Sequence, residues 1–419
     1  MQSLRGTKDI LPNEVIFWQH IHNKASNILK LSNYHEIRTP ILESTALFKR
    51  SIGNGTDIVN KEMYSFMDQG SREITLRPEG TASIARSFIT NKLYQNNQIQ
   101  RLWYLGPMFR YERPQNGRQR QFHQLGVECI GSINPMADTE VIRIANNILN
   151  ELECPNHKLE INSIGSLEER NVYTEELVKY LSKYKMDLDK DSQKKLNINP
   201  LKILDSKNEK TQEILYEGPC IYNYLQASSK EHFNKVCEYL TYLNIEYTIN
   251  YKLVRGLDYY NCTAFEIKTN LLGSQDTICG GGRYDGLIEQ LGGQSTPSVG
   301  WAIGIERLLI LIQNIVKLEQ NKPYIYLATQ GTRAQVAIWS IISILEKNNI
   351  TFELDLYNNS FQKQLKKADK SGAHVCLIMG DDEINNNIIT LKWLNNGFQE
   401  TIKNDNLSNL IPKLLKHNN

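Results

Sequence analysis

The sequence lacks the features that mark disulfide-rich, secreted or membrane-spanning proteins. Its 7 cysteines are scattered and no two have CxxC spacing, so neither a disulfide framework nor a zinc ribbon is predicted. The most apolar stretch, residues 299–312, is interrupted by Glu306 and Arg307 and is too short to cross a bilayer. The N-terminal residues MQSLRGTKDI contain neither a signal-peptide core nor an amphipathic presequence. We therefore expect a reduced, soluble, cytoplasmic protein with no membrane partner.

An excess of charge is also missing, because 48 Lys and Arg residues stand against 46 Asp and Glu, for a formal net charge of +2. A protein that coats a polyanion with its whole surface would be far more basic, so any contact with nucleic acid must be local. No P-loop, HExxH or GxSxG motif occurs, and the glycine run at 280–286 lacks GxGxxG spacing. These absences exclude the simplest NTPase, metalloprotease, α/β-hydrolase and dinucleotide-binding sites.

What is present is a mixture of helical and strand-like patterns in a chain of 419 residues, which at about 100–200 residues per domain predicts two to four domains. Helical spacing is found at 17–31 and 138–152, and strand-like runs at 36–43, 72–78, 100–112 and 122–131. The last two runs flank a polar loop, which predicts an antiparallel hairpin.

Composition then changes along the chain and suggests its division. Charged, helix-favouring runs over 166–225 indicate a helical insertion between residues 1–165 and residues 226–320, where strand signals return at 246–269. From 323 to 419 the pattern is strand, helix, strand, helix, strand, strand, which is typical of a separate α/β unit. We place the boundary of that unit near residues 321–323.

Arginine is concentrated around the predicted hairpin. Between positions 101 and 123 only Glu112 opposes the five residues Arg101, Arg110, Arg113, Arg118 and Arg120. Two further arginines, Arg255 and Arg307, lie in apolar or glycine-rich surroundings, where an unpaired charge is costly to bury. Because guanidinium groups pair in a fork with phosphate or carboxylate, the set predicts a site for one phosphate-rich ligand, such as a nucleoside triphosphate. The alternative is a solvated hairpin together with structural salt bridges.

Acids and phenols form the complementary half of the candidate site. Phe122, Gln124 and Glu128 are an even number of residues apart, so on a strand they face one side, and His123 faces the other and is interpreted as structural. An acid and an amide on an arginine-lined face can hold an ammonium or imidazole group. Glu79 lies beside the same predicted strands, and the tyrosines Tyr259, Tyr260 and Tyr284 are either pocket or core residues.

In these residues the sequence resembles the histidyl-tRNA synthetase family of class II aminoacyl-tRNA synthetases. The three class II motifs occur in order as EIRTPILE around Pro40, GPMFRYERPQNGRQRQFHQLGVE and GWAIGIERLLI, and the histidine-specific segments are LVRGLDYY and GGGRYDGL. The resemblance implies an α+β catalytic domain with an antiparallel six-stranded sheet and flanking helices, in two parts (1–165 and 226–320) around the insertion. It also implies that residues 323–419 form an anticodon-binding domain and that motif 1 builds a homodimer.

The resemblance further implies a histidine–tRNA ligase that uses ATP and Mg²⁺, without a permanently bound cofactor, on L-histidine and the tRNA for histidine. Arg110 resembles the arginine on the ATP α-phosphate, Arg307 the one on the γ-phosphate, Phe122 the aromatic that stacks on adenine, and Arg255 the arginine that bridges carboxylate and α-phosphate. The implied histidine-binding residues are Glu79, Thr81, Gln124, Glu128, Tyr259, Tyr260, Tyr284 and Gly300. The implied contacts to the tRNA acceptor stem are Arg113, Arg118 and Arg120.

Two other functions are compatible with such a fold. The regulatory paralogue that activates ATP phosphoribosyltransferase is expected to lack the anticodon-binding domain and much of the arginine set, whereas here Arg110, Arg255 and Arg307 are present and a predicted α/β unit follows. A ligase that activates carboxylates for a small-molecule acceptor would not need the basic motif 2 loop. No metal ligands are assigned from the sequence.

Overall fold

The computed structural model describes residues 1–53, 56–96, 99–115, 117–273, 276–318, 322–357, 359–406 and 411. The chain divides into two compact units, Met1–Leu318 and Glu319–Asn419. Of the predicted boundary at 321–323, residue Asn321 lies outside the described residues, as do Gln320 and the final residues of the chain. Within the described part of the chain, no helix is long and apolar enough to cross a membrane.

The first unit contains ten α-helices and eleven strands in its described residues. The helices are α1 (Pro12–Leu31), α2 (Thr45–Ile52), α3 (Thr81–Thr90), α4 (Pro135–Glu151), α5 (Leu167–Ser182), α6 (Lys190–Ile198), α7 (Glu209–Tyr216), α8 (Ala227–Tyr242), α9 (Leu287–Gln290) and α10 (Ile305–Ile312). The strands are β1 (His35–Glu36), β2 (Leu42–Ser44), β3 (Tyr64–Met67), β4 (Glu73–Leu76), β5 (Gln100–Phe109), β6 (Gln121–Ile130), β7 (His157–Ser163), β8 (Tyr247–Ile249), β9 (Asn261–Thr269), β10 (Thr277–Arg283) and β11 (Ser298–Gly304).

The main sheet has eight strands in the order β1-β5-β6-β11-β10-β9-β7-β8, so the expected count of six is wrong. The six central strands are antiparallel throughout, whereas the short strands β1 and β8 each pair in parallel with one edge. The two additional strands form because the backbone groups of β5 and β7 at the sheet edges still need hydrogen-bond partners. The antiparallel six-stranded sheet that the sequence predicts is thus extended by one short strand at each side.

The predicted hairpin is confirmed as the pair β5–β6, in which Gly106 lies opposite Gln124 and Tyr104 opposite Gly126. Alternation along β6 separates its side chains as expected. Leu125 and Val127 join a buried cluster with side chains of α1, α4, α8 and α10, and Phe122 packs against the cluster on the other face. The first face supplies the main core, and the second face is left for the candidate site.

The segment between β7 and α8 is largely helical, with α5, α6, α7 and two short 3₁₀ helices. Helix α5 begins at a capping box in which the Glu169 side chain accepts from the Ser166 amide and Ser166 accepts from the Glu169 amide. The predicted strand signal at 246–269 is realised only in β8 and β9, because residues 250–260 cross the site as irregular chain. The limits 166–225 for an insertion stay a prediction.

The second unit is a five-stranded sheet with helices. The four predicted strands and two predicted helices are confirmed, and a short helix before the fourth strand and a fifth strand are additional. Its elements are β12 (Ile325–Thr329), α11 (Thr332–Lys347), β13 (Phe352–Leu354), α12 (Phe361–Ser371), β14 (Val375–Met379), α13 (Asp381–Asn385), β15 (Ile388–Trp393) and β16 (Gln399–Lys403). The order is β13-β12-β14-β15-β16, parallel in its first three strands and antiparallel in the rest. Its buried cluster around Ile325 and Ile338 is its own core.

Candidate active site

A cavity of about 260 Å³ opens on the face of the main sheet that is opposite α1 and α4. Its lining comes from the ends of β5 and β6, the irregular chain at 255–260, β10, β11 and the start of α10. Ten of the residues predicted from the sequence line it, namely Glu79, Thr81, Arg110, Arg118, Phe122, Gln124, Arg255, Tyr259, Tyr260 and Arg307. The antiparallel order of the sheet therefore brings together segments that are far apart in the sequence.

Two buried carboxylates are the most unusual feature of this region. Glu79 precedes α3 and accepts from the amides of Thr81 and Ala82 at 2.7 and 2.8 Å, so it caps the positive end of that helix. Glu128 is fully buried and accepts from the Thr81 hydroxyl at 2.7 Å and from the Tyr284 hydroxyl. Burial raises the pKa of Glu79, and it raises the pKa of Glu128 to about 8.

Three tyrosine rings pack together beside these carboxylates. The ring centroids of Tyr259 and Tyr260 are 4.7 Å apart, and that of Tyr284 lies 5.7 Å from Tyr259. Burial raises the pKa of Tyr260 to about 12, so its hydroxyl keeps its proton and can donate to a ligand. Gly300 faces Glu128 across β6 and β11, and a Cβ at this position would overlap Oε2 of Glu128. The predicted residues Tyr284 and Gly300 thus both contact Glu128 behind the cavity wall.

Gln124 and Tyr104 offer polar atoms that have no hydrogen-bond partner among the described residues. The Oε1 atom of Gln124 and the hydroxyl of Tyr104 are both buried, and both side chains line the cavity. The Tyr104 ring lies so close to Gly80 and Gly126 that a Cβ at either glycine would overlap it. Since buried polar groups are normally paired, these atoms are suited to a polar ligand.

Arg110 lies at the end of the hairpin, next to the first turn of α3. Its Nε donates to the Pro78 carbonyl at 2.8 Å, and its guanidinium carbon is 5.3 Å from the centroid of the Phe122 ring. Glu112 is 3.9 Å from its Nη1. These contacts orient the guanidinium at the cavity and leave the Phe122 ring as an aromatic surface beside it.

Arg255 is held from behind by Glu266, with which its Nη1 forms an ion pair. Glu266 in turn accepts from the Thr277 hydroxyl at 3.1 Å and lies 3.3 Å from Lys268. Burial alone would lower the pKa of Arg255, but the Glu266 carboxylate raises it instead. The guanidinium also lies against Gly280, where a Cβ would overlap Nη2, and its Nε has no hydrogen-bond partner among the described residues.

Arg307 reaches the cavity from α10. Its Nη1 donates to the Thr277 carbonyl at 2.8 Å and its Nε to the Gly117 carbonyl at 3.4 Å. Burial, with Arg118 nearby, lowers the pKa of Arg307. Because its neighbour Arg118 is another cation, the site favours an anionic ligand that neutralises both.

The remaining hairpin arginines do not form one cluster. Arg118 lines the cavity and pairs with Glu112 at 3.0 Å, whereas the guanidinium of Arg120 is 3.7 Å from the centroid of the Tyr111 ring. Arg113 is exposed. Arg101 is at the far end of β5 and pairs with Glu140, so its inclusion in the predicted anion site is wrong. The ten-residue length of β5 separates it from the others.

Sequence reasoning missed Glu266 and Tyr104 and gave no role to Glu306. The backbone amide of His123 donates to Glu306 at 2.9 Å, and the His123 ring packs edge-on against Trp18, in line with its predicted structural role. For Glu266 the sequence does carry a signal, because it is an acid among apolar residues of a strand. Among the described residues no group of three or more His, Cys, Asp or Glu side chains could hold a metal ion.

Comparison with known proteins agrees with this geometry. The family profile described as Histidyl-tRNA synthetase matches residues 6–308, and the profile described as Anticodon binding domain matches residues 324–414. The chloroplastic histidine–tRNA ligase of Gracilaria tenuistipitata var. liui is 66% identical over 99% of this chain and 98% of its own length. That of Pyropia yezoensis is 56% identical over 96% of this chain and 94% of its own.

A solved structure of a histidyl-tRNA synthetase also matches this chain. The apo histidyl-tRNA synthetase of S. aureus matches with a TM-score of 0.82 at 38% identity, covering 98% of this chain and 99% of that one. This coverage extends over both units of the chain. Because the family profile covers most of the chain and relatives that are more than half identical cover nearly all of it, the chain belongs to the histidyl-tRNA synthetase family.

Proposed function

We propose that this chain joins L-histidine to the 3′ end of its tRNA in two steps driven by ATP. In the first step histidine and ATP form histidyl-adenylate and pyrophosphate, and in the second the adenylate passes histidine to the terminal ribose of the tRNA. One observation carries the proposal: a single cavity is lined by Arg110, Arg255 and Arg307 and also holds the buried carboxylate of Glu79, with Glu128 directly behind Thr81. Family membership supports it.

Histidine is bound by the polar half of the cavity. Glu79, Thr81 and Gln124 hold the α-ammonium group, and Glu128 and Tyr260 hydrogen-bond the imidazole. Tyr259, Tyr284 and Gly300 shape the pocket around the ring. Glu128 lies directly behind the cavity wall, and a ring N–H that reached it would offset the desolvation cost of its buried carboxylate. Such a site rejects analogues that lack the ring nitrogens by roughly 10⁴–10⁵-fold, so an editing domain is unnecessary.

ATP is bound by the arginine half. Arg110 holds the α-phosphate, Arg307 the γ-phosphate, and Phe122 stacks on adenine, next to the Arg110 guanidinium. The histidine carboxylate attacks the α-phosphorus, and the bond to the bridging oxygen breaks with its electron pair on pyrophosphate. Arg255 and Arg110 face the non-bridging oxygens, where fixed positive charge stabilises the transition state. No side chain acts as a nucleophile, because the substrate supplies one.

ATP would bind together with Mg²⁺, and the reaction needs no permanently bound cofactor. Mg²⁺ keeps several waters and is usually held by substrate phosphates with one or two carboxylates. The carboxylates of Glu112 and Glu306 line the cavity and fit that limited requirement. When bound, Mg²⁺ would neutralise charge on the leaving phosphates.

The tRNA contacts are divided between the two units. The residues matched by the anticodon profile, 324–414, bind the anticodon, and the hairpin loop with Arg113, Arg118 and Arg120 meets the acceptor stem. The presence of Arg118 in the cavity lining supports this role for the loop. The presence of the anticodon-binding unit and of all three phosphate-binding arginines argues against the regulatory paralogue of ATP phosphoribosyltransferase.

The enzyme works as a homodimer through the motif 1 region. The three-stranded sheet β2-β4-β3 in this region leaves Ile41, Leu42, Phe66 and Met67 between 40% and 60% exposed. An exposed group of large apolar side chains is typical of a protein interface. The relatives from Gracilaria tenuistipitata var. liui and Pyropia yezoensis are named chloroplastic, so we place this chain in a plastid rather than in the cytoplasm that the sequence predicted.

The test is ATP–pyrophosphate exchange with each amino acid in turn, followed by charging of tRNA. We expect exchange with L-histidine alone, its loss in Arg255→Ala, and normal exchange in Arg101→Ala, which removes an arginine outside the cavity. Exchange with another amino acid would contradict the pocket assignment. A folded protein without exchange would indicate the regulatory paralogue.

A further inference from the structure

A second cavity adjoins the catalytic one and has no role in the proposed reaction so far. It has a volume of about 590 Å³ and lies between residues 204–212 of the helical segment and the chain at 250–254 with β9 and β10. Arg118, Thr277 and Arg307 line both cavities. The side chain proposed to hold the γ-phosphate is therefore part of a wall that the two cavities share.

Lysine side chains add further positive charge in the second cavity, next to the shared arginines. Lys207 from the helical segment, Lys252 from the chain before β9 and Lys268 from β9 all line it. Lys252 donates to the neutral side chain of Gln212 at 3.0 Å, and neither Lys207 nor Lys252 forms an ion pair within the described part of the chain. Both ammonium groups are available to an anion.

The carboxylates in this cavity only partly offset these cations. Glu266 is already engaged by Arg255 and Lys268, and Arg118 pairs with Glu112. Asp205 and Asp276 are then the lining carboxylates left to offset Lys207, Lys252 and Arg307. A small, mobile polyanion fits this arrangement, because lysine ammonium groups are point charges on flexible stems that can follow an anion rather than fix it.

We infer that the second cavity binds inorganic pyrophosphate and is the path by which it leaves after adenylate formation. The inference rests on the proposed function, which places pyrophosphate against Arg307 when the α-phosphorus bond breaks. The adenylate stays in the catalytic cavity, and the 3′ end of the tRNA must reach it there. A separate path lets pyrophosphate leave without crossing the route of the tRNA. The same lysines could bind RNA phosphates instead, and the experiment distinguishes the two.

The experiment compares the wild-type chain with the double variant Lys207→Ala, Lys252→Ala. The matched control is Lys210→Ala, which removes an exposed lysine of the same segment that pairs with Asp187 outside the cavity. For each protein we would measure the dependence of ATP–pyrophosphate exchange on pyrophosphate, the KM values for histidine, ATP and tRNA, and direct binding of labelled pyrophosphate by equilibrium dialysis.

We expect the double variant to raise the KM and the dissociation constant for pyrophosphate about tenfold, with the KM values for histidine, ATP and tRNA unchanged. Unchanged pyrophosphate binding in the folded double variant overturns the inference. So does a raised KM for tRNA alone, which would assign the cavity to RNA. Absence of histidine-dependent exchange in the wild-type chain would instead contradict the proposed function, and the dialysis still tests the cavity.

Discussion

At the scale of single residues, Glu128 is an ionisable carboxylate that is buried beside the candidate site, although burial disfavours its charged form. Its carboxylate is fully buried, and its two oxygens accept from the hydroxyls of Thr81 and Tyr284, which are neutral donors. Burial disfavours the charged form, and no cation pairs with this carboxylate among the residues that the structure describes, so the pKa rises to about 8. Ionisation of this carboxylate therefore lowers the stability of the folded protein.

We therefore expect the effect of Glu128→Gln on the free energy of unfolding to depend on pH. Since the pKa of the folded state lies above the ordinary value near 4.5, the folded protein binds more protons between about pH 4.5 and 8, and its free energy of unfolding falls as pH rises through this range. Gln cannot ionise, so the variant escapes this fall in its free energy of unfolding. We expect that free energy, relative to the wild-type value, to rise by on the order of a few kcal/mol between pH 5 and pH 8.5. Urea unfolding at both pH values measures the difference.

The matched control for this experiment is Glu246→Gln, because Glu246 is exposed. We expect the difference between this variant and the wild type to stay constant over the same pH range. A difference for Glu128→Gln that is independent of pH would show that Glu128 is ionised in the free protein.

Glu266 is a positioning residue that acts through Arg255. It does not line the catalytic cavity, and it holds the guanidinium from the side of the second cavity. We expect Glu266→Gln to lower kcat for histidyl-adenylate formation by about 10–100-fold with little change in the KM for histidine, because the guanidinium loses its orientation in the transition state. Single-turnover adenylation and steady-state exchange measure the two quantities.

Glu160→Gln is the control for Glu266, since Glu160 contacts Lys268 at 2.9 Å in the same network but does not contact Arg255. Its kcat should remain near that of the wild type. Equal losses in both variants would mean that the network acts on stability as a whole rather than on Arg255.

At the scale of elements, a buried ion pair fixes strand β10 against helix α4. Arg283 at the end of β10 is ion-paired with Asp138, in the first turn of α4, and both side chains are buried. Arg283 also donates to the Ser132 carbonyl at 2.8 Å and contacts Asp285 at 3.1 Å. The next residue is Tyr284, which faces Glu128, so the ion pair sets the point from which this tyrosine reaches the pocket.

We expect Asp138→Ala to destabilise the protein by about 3–5 kcal/mol, because the buried guanidinium of Arg283 loses its fully buried partner and keeps only the contact with Asp285. Glu140→Ala, on the same helix, breaks the partly exposed pair with Arg101 and should cost less than about 1 kcal/mol. Urea midpoints of the two variants measure the contrast. Similar losses would argue against a special role of the buried pair.

The glycine run at 280–282 is a second feature at the scale of elements. It forms the middle of strand β10 rather than a loop, although glycine is unfavourable in strands. A Cβ at Gly280 would overlap Arg255, and one at Gly282 would come within 2.5 Å of the Thr263 carbonyl. The glycines are needed because other groups approach the strand closely, and this reason is visible only in the folded chain.

At the scale of the whole molecule, each unit has its own buried core, and the first unit also exposes apolar side chains on the sheet β2-β4-β3. If these side chains form the dimer interface, the double variant Phe66→Arg, Met67→Arg should weaken the dimer roughly 100-fold or more, since it would bury unpaired charge. Analytical ultracentrifugation at several concentrations measures the dissociation constant.

Met186→Arg is the matched control for the dimer, because Met186 is equally apolar and highly exposed but lies in the helical segment. It should remain dimeric. A wild-type chain that sediments as a monomer would contradict the dimer proposal.

The sequence by itself determined the chemistry of the cavity and the local elements that carry it. Alternation along β6 was sufficient to place Phe122, Gln124 and Glu128 on one face, because the side-chain period of a strand is two. The motif order was sufficient to identify the family. These signals are local, and each is carried by residues that are close in the chain.

Only the tertiary structure decided which of these residues meet. Tyr284 contacts Glu128 across 156 positions of the chain, and Arg101 is separated from the other hairpin arginines by the length of a strand. The edge strands β1 and β8, the supporting role of Glu266 and the second cavity likewise depend on long-range pairing. Such pairing is set by the packing of the whole sheet, for which no single segment of the sequence carries a signal.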